Sequence, residues 1–412
     1  MKWLPLASGA LFRGLEAADA WMGLPEKLAE SLAFRREWRA SLRPHRSEGR
    51  ALWIHGASVG ELEDLADFFL SKDRLMQAGF APDQVVVTGS SVSARSRLRE
   101  WAETHALRYA GPLPPEKSSE IDAFLEVLDP GFLILSHSDV WPLLLHRARK
   151  RLSRALLWLP AKTDAARTLA PRCLAPLLAH IGSRSPGDVE HWATLQQGVG
   201  SSFVGNPRID RILARIEAAR LNEGHVLEPQ KAAPESDKLS VLLGSAWTED
   251  AEVWAHALAL LDDAERARLQ LVVLPHHFED PHQVASIQLQ LPKARILPLG
   301  GVLLEAYSGF TLSYVGGGFR TGLHNVLEPA LWGQPILCGP KTENQPEAEI
   351  LAQAGQLRIC ADASALAAQL LEALSPDTLL DWKSRAQASG LRLTEGRGAA
   401  QRLALLVSQL IS

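Results

Sequence analysis

The sequence predicts an α/β protein made of two Rossmann-like, doubly wound domains, and three observations lead there. At 412 residues the chain is long for a single hydrophobic core, which points to two domains of roughly 200 residues each. Short apolar runs rich in strand formers alternate with helical stretches through both halves, the pattern of parallel sheets covered on both faces. Polar residues with useful chemistry come directly after those runs, where parallel sheets bind ligands, so a ligand is expected in a cleft between the domains.

Composition sets the outer limits. Hydrophobic content of 46% and charged content of 22% are those of an ordinary globular protein. Lys+Arg 43 against Asp+Glu 47 leaves −4, which argues against a general nucleic-acid binder. The cysteines Cys173, Cys338 and Cys360 are odd in number and far apart, as expected in a reducing compartment without a disulfide framework.

Residues 1–30 form the first region, an amphipathic helix. Leu4, Ala7, Leu11, Leu15, Ala18 and Met22 share one helical face, with Trp3 and Trp21 near its ends. Charges interrupt it too often for a transmembrane helix, which needs about 20 apolar residues. No small-residue cleavage site follows a clean apolar core, so it does not read as a signal peptide. Lying on a bilayer or packing on its own domain fits better. Between Ser31 and Arg50, Arg35, Arg36, Arg39, Arg43, Arg46 and Arg50 outweigh Glu37 and Glu48, a net of +4 that could meet anionic headgroups or simply be a solvated face.

Residues 31–205 make the first Rossmann-like domain, with strands in "ALWIHG", "DQVVVTGS", "GFLILSHS", "RALLWLPA" and "LLAHIGS". Residues 206–237 are the linker or hinge, because "RLNEGHVLEPQKAAPESDK" is polar and lacks an apolar period. Residues 238–390 make the second domain, with strands in "LSVLLGS", "LQLVVLPHH", "ARILPLG", "FTLSYVGGG", "QPILCGP" and "QLRICA". Residues 391–412 end in a helix with one apolar face, expected to pack back on the body.

Two stretches carry candidate chemistry. In "LWIHGASVGELEDL", Glu61 follows the first strand. Ser58-x-x-Glu61 has the spacing of a capping box, and a carboxylate at that strand end could equally take a proton from a substrate. In "YVGGGFRTGLHNVLEPALWGQPILCGPKTENQPEAEIL", Gly316, Gly317 and Gly318 let the backbone approach a phosphate with several N–H groups. Asn325-x-x-Glu328 then opens a helix that would add positive potential for the anion, with Glu328 placed to bond ribose hydroxyls; the other reading is again a capping box. No Gly-Lys-Ser/Thr follows, so this is not a Walker loop. Trp247 and Trp141 read as packing residues rather than stacking platforms.

The second stretch resembles the C-terminal signature of the Kdo (3-deoxy-D-manno-octulosonic acid) transferases of lipid A assembly. "RREWRASL", "IHGASVGE", "VTGSSVSARSRL", "VWPLLLHRARKR", "FVGNPRIDRI", "GSAWTEDAE" and "VLPHHFED" resemble further family segments, in order, from about Arg35 to about Gln356. The resemblance implies the GT-B glycosyltransferase fold, with the acceptor on the N-terminal domain and CMP-Kdo on the C-terminal one. It implies that Glu61 is the catalytic base, without excluding that it also caps its helix. Ser58, His137, Asp139, Lys162 and Arg208 become candidates for catalysis or the acceptor. Ser245, Pro275, His276, His277, Gly316, Gly317, Gly318, His324, Asn325 and Glu328 become candidates for the donor. It further implies metal-independent chemistry and no cofactor. The transmembrane anchor of the family is missing from the pattern, so attachment to the cytoplasmic face of the bacterial inner membrane is expected to be peripheral, through the N-terminal helix and the basic stretch after it.

Departures from the family pattern accompany it. "HSDVWP" stands where the family has Glu-Thr-Glu-Leu-Trp-Pro, so His137 and Asp139 replace two glutamates. "PHH" replaces Pro-Arg-His, turning a permanent charge into a titratable one. The spacing of "HHFEDPH" matches no standard zinc motif. Two other readings stay open: a GT-B transferase with another nucleotide sugar or acceptor, and a non-catalytic paralogue that binds lipid A or a nucleotide sugar.

Overall fold

In the computed structural model, β1 (Ala51–His55) is wholly buried and its side chains alternate between two cores. Ala51 and Trp53 join one apolar cluster, and Leu52 and Ile54 join the other. This is the period of two that a strand imposes when both sheet faces are covered. The structure describes residues 26–43, 49–136, 139–152, 155–160, 174–175, 177–184, 187–195, 198–221 and 238–412. The expected N-terminal helix up to residue 25, His137, Lys162, Arg46, Cys173 and linker residues 222–237 lie outside the described residues.

The remaining strands of the first unit are β2 (Val85–Gly89), β3 (Tyr109–Pro112), β4 (Pro130–Ser136), β5 (Leu156–Leu159), β6 (Leu178–Ser183) and β7 (Gly200–Phe203). They form a parallel sheet in the order β3-β2-β1-β4-β5-β6-β7. The five strands expected from apolar runs are all present. The two edge strands, β3 and β7, are the ones those runs do not reveal. "YAGP" contains a Gly-Pro pair and "GSSF" is mostly small and polar, both tolerable only where one side lacks a partner strand.

The second unit holds β8 (Leu239–Ala246), β9 (Leu269–Pro275), β10 (Arg295–Ile296), β11 (Leu312–Val315), β12 (Ile336–Cys338) and β13 (Leu357–Ile359). They form a parallel sheet in the order β10-β9-β8-β11-β12-β13. All six match the expected runs.

The chain divides into two compact units, residues 1–210 with 397–412, and residues 211–396. Residues Pro207–Leu221, inside the expected linker, form a helix. The last helix, Ala399–Ile411, buries Leu403, Ala404 and Val407 in the first unit's core beside Leu62 and Leu65. Asp210 holds its start, accepting from Gly398 N at 2.6 Å and Ala400 N at 2.9 Å.

Each sheet reverses its strand order at one point, between β1 and β4 in the first and between β8 and β11 in the second. Loops leaving neighbouring strands in opposite directions open a crevice at such a point, beyond the carboxyl ends of the strands. Glu61 follows β1 and Asp139 follows β4, while Ser245 lies at the end of β8 and Gly316–Gly318 follow β11.

Candidate active-site residues at the two switch points

In the first unit β1 ends at His55, and the helix Val59–Phe69 starts three residues beyond Gly56. Ser58 is its N-cap, accepting from Glu61 N over a long 3.5 Å. Glu61 Oε2 accepts from Ala57 N at 2.9 Å, one residue further back than a capping box requires. The other carboxylate oxygen, Oε1, makes no hydrogen bond to a described residue. Glu61 therefore braces the turn with one oxygen. Burial raises its pKa; the Ala57 N–H, His55 and Arg184 oppose the rise, and Asp139 adds to it. A carboxylate moved up in this way is a better base near neutral pH.

Asp139, from the segment after β4, closes on the same strand end. Its Oδ2 accepts from His55 Nε2 at 2.9 Å and from Ser90 Oγ at 2.5 Å. Burial alone would raise Asp139, but the bonds and charge of His55, with Ser90 and Trp141, bring it down to about 2. The Trp141 ring also lies under the guanidinium of Arg35 at 3.8 Å. Glu116 fixes the following helix, Pro142–Ala148, by accepting from Leu143 N and Leu144 N at 3.2 and 3.1 Å. His55, Thr88 and Ser90 were not singled out from the sequence. His55 stands inside the quoted "LWIHGASVGE", and its place at a strand end was the available signal.

Two basic candidates are spent inside the first unit. Arg208 Nε and Nη2 meet Asp64 Oδ1 and Oδ2 at 2.8 and 3.0 Å, a bidentate pair that commits this side of the fork to the fold. Arg35 is 1% exposed and donates to the Pro114 carbonyl at 3.1 Å, so it cannot meet a headgroup. Around it, Arg39 pairs with Glu120 at 3.1 Å, and Arg95 and Arg99 pair with Glu37 at 2.9 and 3.3 Å.

In the second unit the glycine run behaves differently from the expectation. Gly316 N donates to Gly244 O at 2.9 Å and Gly317 N to Asp250 Oδ2 at 2.9 Å, so neither N–H faces a phosphate. These glycines serve close backbone packing. A methyl group on Gly316 would lie 2.3 Å from Ser245 O, and one on Gly317, at φ +92°, would lie 2.4 Å from Gly322 O. The N–H groups of Gly318 and Phe319 make no hydrogen bond to a described residue. Asp250 organises this turn, also accepting from Trp247 N at 2.9 Å and Tyr314 OH at 2.7 Å.

Asn325 and Glu328 do not form a capping box. Asn325 Oδ1 accepts from Leu327 N and its Nδ2 donates to Glu328 Oε1, both at 3.1 Å. The helix they introduce, Leu327–Leu331, has five residues, too few for the expected dipole to matter much. Burial raises the pKa of Glu328, while Asn325, Arg215 and Arg211 restrain it and Glu305 adds to it.

His276, His277 and His324 come together around Trp247, while Pro275 pairs with Ala246 at the end of β9. Ser245 takes φ +52° at a bulge in β8, where the register to β9 shifts between Gly244 and Ala246. The ring of Trp247 lies 4.6 Å from that of His276 and 4.8 Å from that of His277, and His276 stacks on His324 at 4.2 Å. Trp247 Nε1 donates to His324 Nε2 at 2.8 Å, and Arg320 covers the indole at 3.8 Å. Trp247 is thus the centre of a ring wall, which its sequence context did not reveal.

A family profile described as 3-deoxy-D-manno-octulosonic-acid transferase (kdotransferase) matches residues 26–182. A 3-deoxy-D-manno-octulosonic acid transferase of Chlamydophila psittaci is 26% identical over 331 residues, covering 73% of this chain and 71% of the relative. That of Haemophilus influenzae is 23% identical and covers 86% of both chains. The chain is similar to the Kdo transferases over most of its length. The profile span contains His55, Glu61 and Asp139. The fold also matches the UDP-GlcNAc 2-epimerase of Neisseria meningitidis with a TM-score of 0.57 at 12% identity, over 84% of this chain and 99% of that one. The two parallel, doubly wound units described above agree with that fold match.

Proposed function

We propose that the protein is an inverting glycosyltransferase that moves Kdo from CMP-Kdo to a lipid A precursor in lipopolysaccharide assembly. One observation carries the mechanism: at the β1 switch point Glu61 is braced through one oxygen and offers the other. In the step, Glu61 Oε1 takes the proton of the acceptor hydroxyl while that oxygen bonds to the anomeric carbon of Kdo. The bond from that carbon to the phosphate oxygen breaks, and CMP leaves with the electron pair. Attack from the face opposite the leaving group inverts the centre.

The second unit meets the donor. The Gly318 and Phe319 N–H groups would receive the developing phosphate charge, with Arg320 and His277 nearby in the same wall. His276, Ser245 and Pro275 border the nucleotide, and Glu328 holds the ribose. With these donors in place the reaction needs no metal ion, so activity should survive a chelator. The relatives carry the name Kdo transferase, and this supports the choice of sugar. Peripheral contact with the inner membrane follows from a lipid acceptor; among the described residues no helix is long and apolar enough to cross a membrane.

Incubation with CMP-Kdo and tetra-acylated lipid A precursor, with products read by mass, tests the assignment. A product heavier by one or more Kdo residues is expected. Release of CMP without such a product would reassign the acceptor, and no consumption of CMP-Kdo would overturn the function.

A further inference from the structure

Glu61 is surrounded by an arrangement that proton transfer alone does not require. His55 is 3% exposed, and both of its ring nitrogens are held. Nε2 lies 2.9 Å from Asp139 Oδ2, while Nδ1 lies 3.1 Å from the Thr88 carbonyl oxygen and 2.9 Å from its hydroxyl. Carboxylate and carbonyl oxygens only accept, so each nitrogen has an acceptor before it and the ring has places for two protons. The Thr88 hydroxyl is itself engaged, accepting from Trp53 Nε1 at 2.8 Å. Asp139 is fastened from a second side by Ser90 at 2.5 Å, so the carboxylate cannot swing away from the ring.

We propose that His55 and Asp139 form a positioning pair for Glu61, in which Asp139 fixes the His55 ring and holds its second proton, and the imidazolium stands as counter-charge to the Glu61 carboxylate. The inference rests on the reading of Glu61 as the base. Charged groups reach Glu61 from three elements: His55 at the end of β1, Asp139 after β4 and Arg184 after β6. Within the loop itself the Ala57 N–H is its hydrogen-bond donor. Asp139 alone would be the wrong neighbour for a base, since two carboxylates in one pocket resist ionising together. A protonated His55 bonded to Asp139 removes that conflict and leaves the pair close to neutral. The ring is not a second base, because both of its nitrogens are occupied. Its effect on turnover passes through Glu61.

A purely structural role, tying β1 to the segment after β4, makes a different forecast, and pH separates the two. In the full-length protein, His55→Gln keeps a side-chain N–H for Asp139 but cannot carry the charge. Its kcat/KM profile should have an acidic limb displaced upward by about one pH unit or more, the usual size for loss of an opposite charge beside a carboxylate. Turnover should fall most on the acidic side and recover towards the native value as pH rises and Glu61 ionises without help. A loss of turnover independent of pH would overturn the inference. Should His55→Gln fail to fold, nitrogen-15 spectra of the native protein decide: a doubly protonated His55 ring at pH 7, reverting to a neutral ring in Asp139→Asn, is expected. A neutral ring in the native protein would overturn it. Glu61→Gln serves as the separate control. Full activity there would end the base reading itself, whereas an inactive Glu61→Gln beside an unmoved acidic limb in His55→Gln would end only the pairing.

Discussion

Trp247 donates its indole N–H to Nε2 of His324 at 2.8 Å, which fixes His324 as a neutral ring with its proton on Nδ1. Burial, then the charge of His277, pushes His324 down from 6.5 to about 4. Between those values the unfolded chain binds a proton that the folded one refuses. Stability should therefore fall as pH drops through that window, by about 3 kcal/mol at the most, and flatten below it. His324→Gln keeps an acceptor for Trp247 and should lose this part of the acid slope. Urea midpoints followed by tryptophan fluorescence at pH 7.5, 5.5 and 4 check it; equal slopes in both proteins would contradict it.

Arg208 was a candidate for the acceptor phosphates, and the fold gives it another task. Asp64 is 1% exposed, so removing its partner leaves a buried carboxylate unpaired. Arg208→Gln should cost about 3–5 kcal/mol of stability, with part recovered in the Asp64→Asn double variant. At a temperature where the variant stays folded, the acceptor KM should be unchanged. A raised KM with native stability would return Arg208 to the acceptor site.

The outline of the site was legible because strand ends are. Apolar runs located eleven of the thirteen strands, and the residues after them include Glu61, Asp139, His276 and His277. What the sequence withheld is long-range. That His55 would bond Asp139, 84 positions away, depends on β4 pairing beside β1 rather than on any local spacing. The glycine run misled for a related reason: Gly316 and Gly317 are small so that β8 and the turn at Gly322 can approach them, and three glycines look the same whether protein or ligand fills the space. Trp247 gave no sign of its role, since its ring partners come from "PHH" and from His324 in other loops.

Glu328 should matter for the nucleotide more than for the helix. Its carboxylate is bonded to the Asn325 side chain and makes no contact that caps Leu327–Leu331. Glu328→Gln should weaken CMP binding by about 1–3 kcal/mol if it grips the ribose through charged hydrogen bonds. Calorimetry with CMP and UMP reads this directly. Unchanged affinity with a lowered melting temperature, or a preference for UMP, would count against the donor assignment.

Membrane contact should be electrostatic in part. Arg36, Arg39, Arg43 and Arg50 are exposed on the first unit even though Arg35 is not. The protein should sediment with anionic vesicles and be released by salt, because the screening length shrinks from about 10 Å at 0.1 M to about 3 Å at 1 M. Equal binding to neutral vesicles would remove the basic surface from the account.

Turnover of Glu61→Gln tests the central claim most directly. Glutamine preserves the length of the side chain and can still accept from Ala57 N, so fold and CMP affinity should be native. Transfer of Kdo from CMP-Kdo should fall by about 10²–10⁴-fold, the range for a lost general base. Near-native transfer in Glu61→Gln would contradict the account and leave Glu61 as a brace for its turn.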